Sequence, residues 1–428
     1  MKNLLLISLG CAKNAVDSET ILSFFKRNDF NIVLSPRKAD VIVINTCGFI
    51  LPSKQESIDT ILEYANYGKK LVVVGCLVER YLEDLKESIP EVDLWIPIRD
   101  YSKMASLVKG LFKDEIVEEY NPYYRILSTP FYSGYLKISD GCDNHCSYCA
   151  IPLIRGSFKS IPKEILIEEA KRMASIGVKE LVIISQDTSK YGTDIYEDYR
   201  IHNLLEDILE LKLFTSVRLL YLYSYEVTDE LIDVIYKNSE VLQPYFDIPI
   251  QHASNKMLKL MNRKDKKEDI ITLMSKIRNK FERSVIRTTL IVGFPHETEE
   301  DLNELNEFIK ENKFDHLGVF AYSKEEGTAG DLMDNQVDDE VKNARRQLIM
   351  DTQQKISYEL NKNHIGEVMK GIVVGQKGDE YLIRTYFNAP DDIDGNIYVK
   401  NTNSLNMGDE VTIKITSCSI YDLEGELL

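Results

Sequence analysis

Gly141-Cys142-Asp143-Asn144-His145-Cys146-Ser147-Tyr148-Cys149 places three thiols within eight residues of a loop that also carries a glycine and an asparagine. Thiols this close together are a metal site short of a fourth ligand. In an iron-sulfur cubane held by three cysteines, one of the four irons keeps an open position where chemistry can occur. Two other readings compete. A structural zinc takes four protein ligands and would recruit His145, and a disulfide would leave one thiol spare. Neither accounts for the spacing.

The loop follows an apolar run at 135–138, and from there the chain alternates between strands and helices. Further strands are expected at 180–184, 216–222, 245–248, 285–292 and 316–321. Helical spacing of apolar residues occurs at 163–175, 204–211, 229–237 and 299–311. Six such units make a partial (β/α) barrel, whose active site lies on the loops after the strands. The cysteine loop stands at such a place. So do Gln186, Asp187, Thr188, Tyr191, Gly192, Tyr223, Gln251, His252, Gly293-Phe294-Pro295 and Tyr322-Ser323. These residues are polar or glycine-bearing, suited to a nucleoside and an amino-acid moiety.

The first hundred residues follow the same logic. Apolar runs at 4–9, 41–45 and 71–75 each lead to a cysteine, and helices are expected at 17–26 and 53–64. Strand, helix, strand, helix, strand implies a parallel sheet, with all strand ends at one edge. Cys11, Cys47 and Cys76 should therefore converge. The alternative is three small buried hydrophobes.

Beyond the barrel, 340–361 reads as a charged linker helix with a solvated face. Short strands at 367–374, 381–385, 396–399 and 410–416, separated by Gly and Asp turns, suggest a small β-barrel. Gly375-Gln376-Lys377-Gly378 reads as a hairpin turn rather than an RNA-clamping loop, and Cys418 as packing. From His364 onward five lysines and arginines face eleven aspartates and glutamates, a poor surface for RNA and a good one for a basic protein.

The whole chain, 428 residues with 69 acidic and 52 basic side chains and a net charge of -17, is long enough for several domains and repels phosphate backbones. The opening Met1 to Cys11 has too short an apolar run for an export signal, and no segment approaches a membrane span. Seven cysteines, an odd number, favour metal ligation over a disulfide framework. A soluble, cytoplasmic protein is expected.

Cys-x-x-x-Cys-x-x-Cys with Tyr148 before the last cysteine resembles the signature of the radical S-adenosylmethionine (SAM) enzymes. There the three thiolates hold a 4Fe-4S cluster whose open iron takes SAM. Gly10-Cys11-Ala12-Lys13-Asn14 with Asp17-Ser18-Glu19, Asn45-Thr46-Cys47-Gly48-Phe49 and Gly75-Cys76 resemble the N-terminal domain of the methylthiotransferases. That resemblance implies a second 4Fe-4S cluster on Cys11, Cys47 and Cys76. The stretches 185–192, 247–254 and 319–328, with Ala389-Pro390 and Asp394-Gly395, look like the branch that modifies a ribosomal protein of the S-twelve family. Two positions depart from the family: Ile161, where arginine is frequent, and His296, where glycine is frequent.

The resemblance implies an α/β protein of three parts. These are an N-terminal parallel α/β domain (1–118), a central partial (β/α)6 barrel of radical SAM type (128–358) and a C-terminal small β-barrel of TRAM type (361–428). It implies SAM contacts from Tyr148, Gln186, Asp187 and Gln251, and methylthiolation of an aspartyl β-carbon, using two SAM and two 4Fe-4S clusters. A tRNA methylthiotransferase and a non-catalytic iron-sulfur carrier are the alternatives. No membrane partner is expected, nucleic acid is not the primary partner, and the electron and sulfur donors stay unidentified.

Overall fold

Val41-Ile42-Val43-Ile44 is β-branched throughout, a composition suited to a strand covered on both faces. In the computed structural model, which describes residues 2–112, 116–390, 393–400 and 404–428, all four are fully buried. They lie in the centre of a parallel sheet built from β1 (Asn3–Ser8), β2 (Asn31–Ile32), β3 (Val41–Thr46), β4 (Lys70–Gly75) and β5 (Leu94–Pro97), ordered β2-β1-β3-β4-β5. Helices α1 (Ala12–Arg27), α2 (Leu51–Ala65), α3 (Cys76–Ser88) and α4 (Met104–Phe112) cover it. The sequence reading finds the three cysteine-bearing strands and α1 and α2. It misses β2, only two residues long, β5, which ends on a proline, α3, which starts on Cys76 itself, and α4.

The central unit has six parallel strands: β6 (Ser133–Lys137), then, past the short pair β7 (Ser139–Asp140) and β8 (Lys159–Ser160), β9 (Glu180–Ile184), β10 (Ser216–Leu219), β11 (Tyr245–Asp247), β12 (Val285–Val292) and β13 (His316–Ala321). Two three-stranded ladders, β10-β9-β6 and β11-β12-β13, meet where Leu222 N–H donates to Asp247 O (2.8 Å). Helices α5 (Ile151–Arg155), α6 (Lys163–Ser175), α7 (Ile201–Glu210), α8 (Asp229–Lys237), α9 (Asn255–Leu260), α10 (Lys267–Lys280) and α11 (Glu299–Asn312) run between the strands. The curved sheet is stoppered at both ends. Tyr135, Val182, Ile184, Leu220, Tyr245 and Val285 belong to one buried cluster with Ala12 and Val16 of α1 and with Ile383, Phe387 and Ala389 of the C-terminal unit.

Helix α12 (Asp339–Lys362) corrects the linker reading. Its Lys342, Arg345, Ile349, Gln353 and Ile356 are buried, Arg345 pairs with Glu297 (2.6 Å) and Glu299 (2.8 Å), and Gln353 donates to Phe314 O (2.8 Å). Polar residues hide this face because they bond to the barrel rather than to water.

The last unit is a closed barrel of β14 (Val368–Lys377), β15 (Glu380–Arg384), β16 (Ile397–Lys400), β17 (Glu410–Cys418) and β18 (Leu423–Leu427), ordered β14-β15-β16-β18-β17. Strand β18, with two glutamates in five residues, escapes the sequence pattern. Lys377 pairs with Glu380, so Gly378 and Asp379 form a two-residue hairpin turn. This unit grips the lower end of the central barrel. Fully buried Arg218 donates to Thr385 O (2.7 Å), Arg384 pairs with Glu180 (2.6 Å), and Asp394 accepts from the Tyr245 hydroxyl (2.6 Å). His296 takes a left-handed conformation (φ 66°), one that glycine adopts at no steric cost, and is tied to Asp334 (2.8 Å) and Asn335 (3.0 Å). Among the described residues no helix is long and apolar enough to cross a membrane.

Candidate active site

The cysteine loop lies where β6 and β7 end, and every turn of it is held from outside. Cys142 N–H donates to Gly156 O (3.1 Å), Ser147 N–H to Met261 O (3.0 Å), and Asn262 Nδ2 to His145 O (2.9 Å). Asn144 Nδ2 donates to Asp187 Oδ2 (2.7 Å). Gly141 is at φ 74°, and a Cβ there would stand 2.1 Å from Ser157 O. Gly141→Ala is therefore expected to cost at least about 1 kcal/mol from the backbone alone and to lower the iron retained at this loop. Full iron content in reconstituted Gly141→Ala protein would contradict this.

Burial pushes the Cys142 thiol up to about 11 and Cys149 up to about 12, with repulsion from the neighbouring Cys146 sulfur adding to both. The three sulfurs are thus within electrostatic reach of one another in a place that resists bare negative charge. Cationic metal relieves that conflict, and ligation would release the protons. Among the described residues no three His, Cys, Asp or Glu side chains surround a single-ion point. A cubane asks for less, since each thiolate binds a different iron.

The second trio comes from the sheet edge. Cys47 follows β3 and Cys76 follows β4, both buried, whereas Cys11 at the start of α1 is exposed. Their loops are laced together by asparagines. Asn14 Nδ2 donates to Leu9 O (2.6 Å) and Thr46 O (3.2 Å), and Asn45 Nδ2 to Asn14 O (2.9 Å) and Ser18 Oγ (2.9 Å). Ser57 of α2 clamps both the N–H and the carbonyl of Cys47. At Gly10 (φ 87°) a Cβ would lie 2.9 Å from Cys47 Cβ, so only glycine lets the two loops close. Burial raises Cys47, and lifts Cys76 to about 11 against the pull of Arg155.

The two trios are neighbours. Cys76 packs with Ala150 and Ile154, just after Cys149, in one buried cluster. Arg155, at the end of α5, donates to Cys76 Sγ (3.4 Å) and Asn14 Oδ1 (3.2 Å) and pairs with Asp17 (2.5 Å) and Asp140 (3.3 Å). Lys137 joins the same two carboxylates (2.6 and 3.0 Å). Burial alone would raise Asp140, but Lys137 and Arg155 hold it well below the usual carboxylate range.

Of the four residues expected at SAM, Tyr148 packs beside Met257, Met261, Phe294 and Tyr322 next to the loop, and burial with the Cys146 charge raises its hydroxyl. Gln186 Nε2 donates to Asp140 Oδ1 (3.1 Å), leaving its buried Oε1 without a donor, as is Asn144 Oδ1. Two orphaned acceptors beside the thiols suit an incoming ammonium group. Gln251 ends the short bridge to Leu290 in a left-handed conformation (φ 71°). Asp187 is turned inward, with both oxygens engaged by Asn144 and Ser189.

His252 is also structural. Its Nδ1 accepts from Ala253 and Ser254 N–H (both 3.0 Å), so Nε2 carries the proton toward Glu297 (3.1 Å). Two cations escaped sequence reading because only the fold brings them here. One is Arg155. The other is Arg263, buried over the Tyr223 ring (3.8 Å) and drawn upward in pKa by Tyr148 and Cys146 against its own burial. Lys13 reaches from α1 onto the Tyr221 ring (3.2 Å), its pKa lowered by burial and partly restored by Cys11 and Asp247.

Residues 136–309 match the Radical SAM superfamily, 3–97 the uncharacterized protein family UPF0004, and 365–428 the TRAM domain. The chain is 46% identical over 434 residues to the ribosomal protein uS12 methylthiotransferase RimO of Clostridium botulinum (strain Langeland), covering 98% of this chain and 97% of that one. Its counterpart in Alkaliphilus oremlandii is 47% identical over 430 residues, with 98% of each covered. That of Clostridioides difficile is 44% identical over 442 residues, covering 100% and 99%. Among solved structures, the radical SAM methyltransferase TsrM of Kitasatospora setae superposes with a TM-score of 0.56 over 76% of each chain at 12% identity. The radical enzyme OxsB does so at 0.52 over 82% of this chain and 56% of that one at 14% identity. At such identity these two speak for the fold alone.

Proposed function

The chain belongs to the RimO family of radical SAM methylthiotransferases, and from that premise we propose that it replaces a β-carbon hydrogen of an aspartyl residue in ribosomal protein uS12 with a methylthio group. Its parts divide at 1–118, 128–358 and 361–428. A 4Fe-4S cluster bound by Cys142, Cys146 and Cys149 would supply the one-electron chemistry that breaks an unactivated C–H bond, and a second on Cys11, Cys47 and Cys76 the station for sulfur.

The protein's own groups do the holding. Asp187, through Asn144, and Asn262 fix the loop so that its thiols face one place, while Tyr148, Gln186 and Gln251 seat SAM. Asn14 and Arg155 fix Cys76, and the acidic C-terminal barrel receives a basic ribosomal protein. The observation that carries the reading is the adjacency of the trios, with Cys76 packed on the residue that follows Cys149. A sulfur station and a radical source must serve one substrate carbon.

Anaerobic reconstitution followed by iron counting and mass spectrometry of uS12 after incubation with SAM tests it. About eight irons per chain, four for each cluster, and a gain of SCH3 in place of H are expected. Half that iron, or an unmodified uS12, would sink the assignment.

A further inference from the structure

Four largely covered cations of the central barrel are neutralised at close range. Lys137 and Arg155 face Asp17 and Asp140, Arg287 faces Asp247 (2.7 Å), and Arg263 faces Asp265 (3.6 Å). Lys13 is the exception. It is 9% exposed, its Nζ lies 3.2 Å from the Tyr221 ring centroid, and among the described residues its ammonium forms no ion pair and donates no hydrogen bond. A ring face attracts a cation but fills none of its three N–H donors as an oxygen would. Donors left open on a mostly buried side chain can take an acceptor that reaches them.

Lys13 also stands in the right place. It lies two residues beyond Cys11 in the first turn of α1, an end that has no acidic residue and no side-chain cap, so the helix dipole adds to its charge. Tyr221 follows β10 and is anchored by its N–H to Asp247 Oδ2 (2.9 Å), which fixes the ring and the lysine at the upper rim of the barrel.

We infer that Lys13 binds the side-chain carboxylate of the aspartyl residue being modified. This rests on the substrate reading above. The reacting β-carbon is one bond from that carboxylate, and a carboxylate brought out of water needs a counter-ion. The cation without a direct ion-pair partner stands beside Cys11, in the trio assigned to sulfur, with Asp247 acting on it only at a distance. A charge-assisted contact there would orient the β-carbon and discriminate against asparagine, which has the same shape without the charge.

The test measures binding of uS12 to the reconstituted protein, alongside a uS12 whose modified aspartate, located by fragment mass spectrometry, is changed to asparagine. The wild-type protein should prefer the aspartate form by about ten- to a hundredfold. Lys13→Met, which keeps the stem against Tyr221, should lose that preference, and Lys13→Arg should recover part of it. Lys13→Gln replaces the methionine variant if its melting temperature falls. An undiminished preference in a folded, uncharged variant overturns the role of Lys13. If wild-type protein adds no SCH3 to uS12, the substrate assignment fails first and takes this inference with it. If it does add SCH3 while Lys13→Met keeps the ratio, Lys13 alone is misassigned.

Discussion

Replacing Cys142, Cys146 and Cys149 by alanine is expected to abolish SAM cleavage and, with it, methylthiolation, each by on the order of a thousandfold or more, because no side chain can deliver the electron in the cluster's place. Replacing Cys11, Cys47 and Cys76 should remove sulfur insertion and leave measurable cleavage. The difference follows from the architecture: one trio sits on a loop braced by Asn262 and Asp187, the other on a separate sheet edge braced by Asn14, Asn45 and Ser57. Quantifying 5′-deoxyadenosine and modified uS12 in the same reaction checks it. Equal loss of both products in both variants would count against two roles.

Asp394→Asn should lower stability by about 1.5–3 kcal/mol, the range of hydrogen bonds to a charged group and at or below the about 3–5 kcal/mol of a severed buried pair. The carboxylate is fully buried and accepts from Tyr245 Oη (2.6 Å) and Ala389 N–H (2.8 Å), with Arg287 Nε at 3.4 Å. Arg287 retains Asp247 (2.7 Å), which limits the damage. Burial alone would raise this acid, but His316, Arg287 and the Tyr245 hydroxyl outweigh it and hold it below the usual range. The sign follows. A carboxyl lowered in the folded state contributes fully above its unfolded value near 4 and loses that contribution as pH falls through the native value. Unfolding followed against pH should show an acid-side loss in the wild type that Asp394→Asn flattens. An identical acid limb in both proteins would rule Asp394 out as its source.

The strands and the cysteine positions were legible because parallel sheets advertise themselves as buried β-branched runs, and Cys47 and Cys76 stand directly where β3 and β4 end. The expectation that Cys11, Cys47 and Cys76 converge rested on topology alone. What stayed hidden is polar. Arg155, Lys137 and Asp17 look like surface charges in the sequence, and their burial depends on α1 lying across the barrel mouth. Helix α12 misled for the same reason, since Arg345 and Gln353 are inward-facing without being apolar. Asp187 was read as a SAM contact from its place after a strand, and the hydrogen bond it takes from Asn144 was not legible there. Its neighbour Asn144 turns it into a brace. His252, at a strand end, fastens its loop through Nδ1.

Among the six thiols proposed to hold iron, Cys11 is the most open to solvent. Dissolved oxygen and peroxide attack accessible sulfur first, so the sulfur station would age faster than the radical source. Protein purified on the open bench would drift toward a half-loaded preparation that still consumes SAM yet makes no product. Shelf history, rather than sequence, would then decide how many clusters a laboratory believes the protein carries.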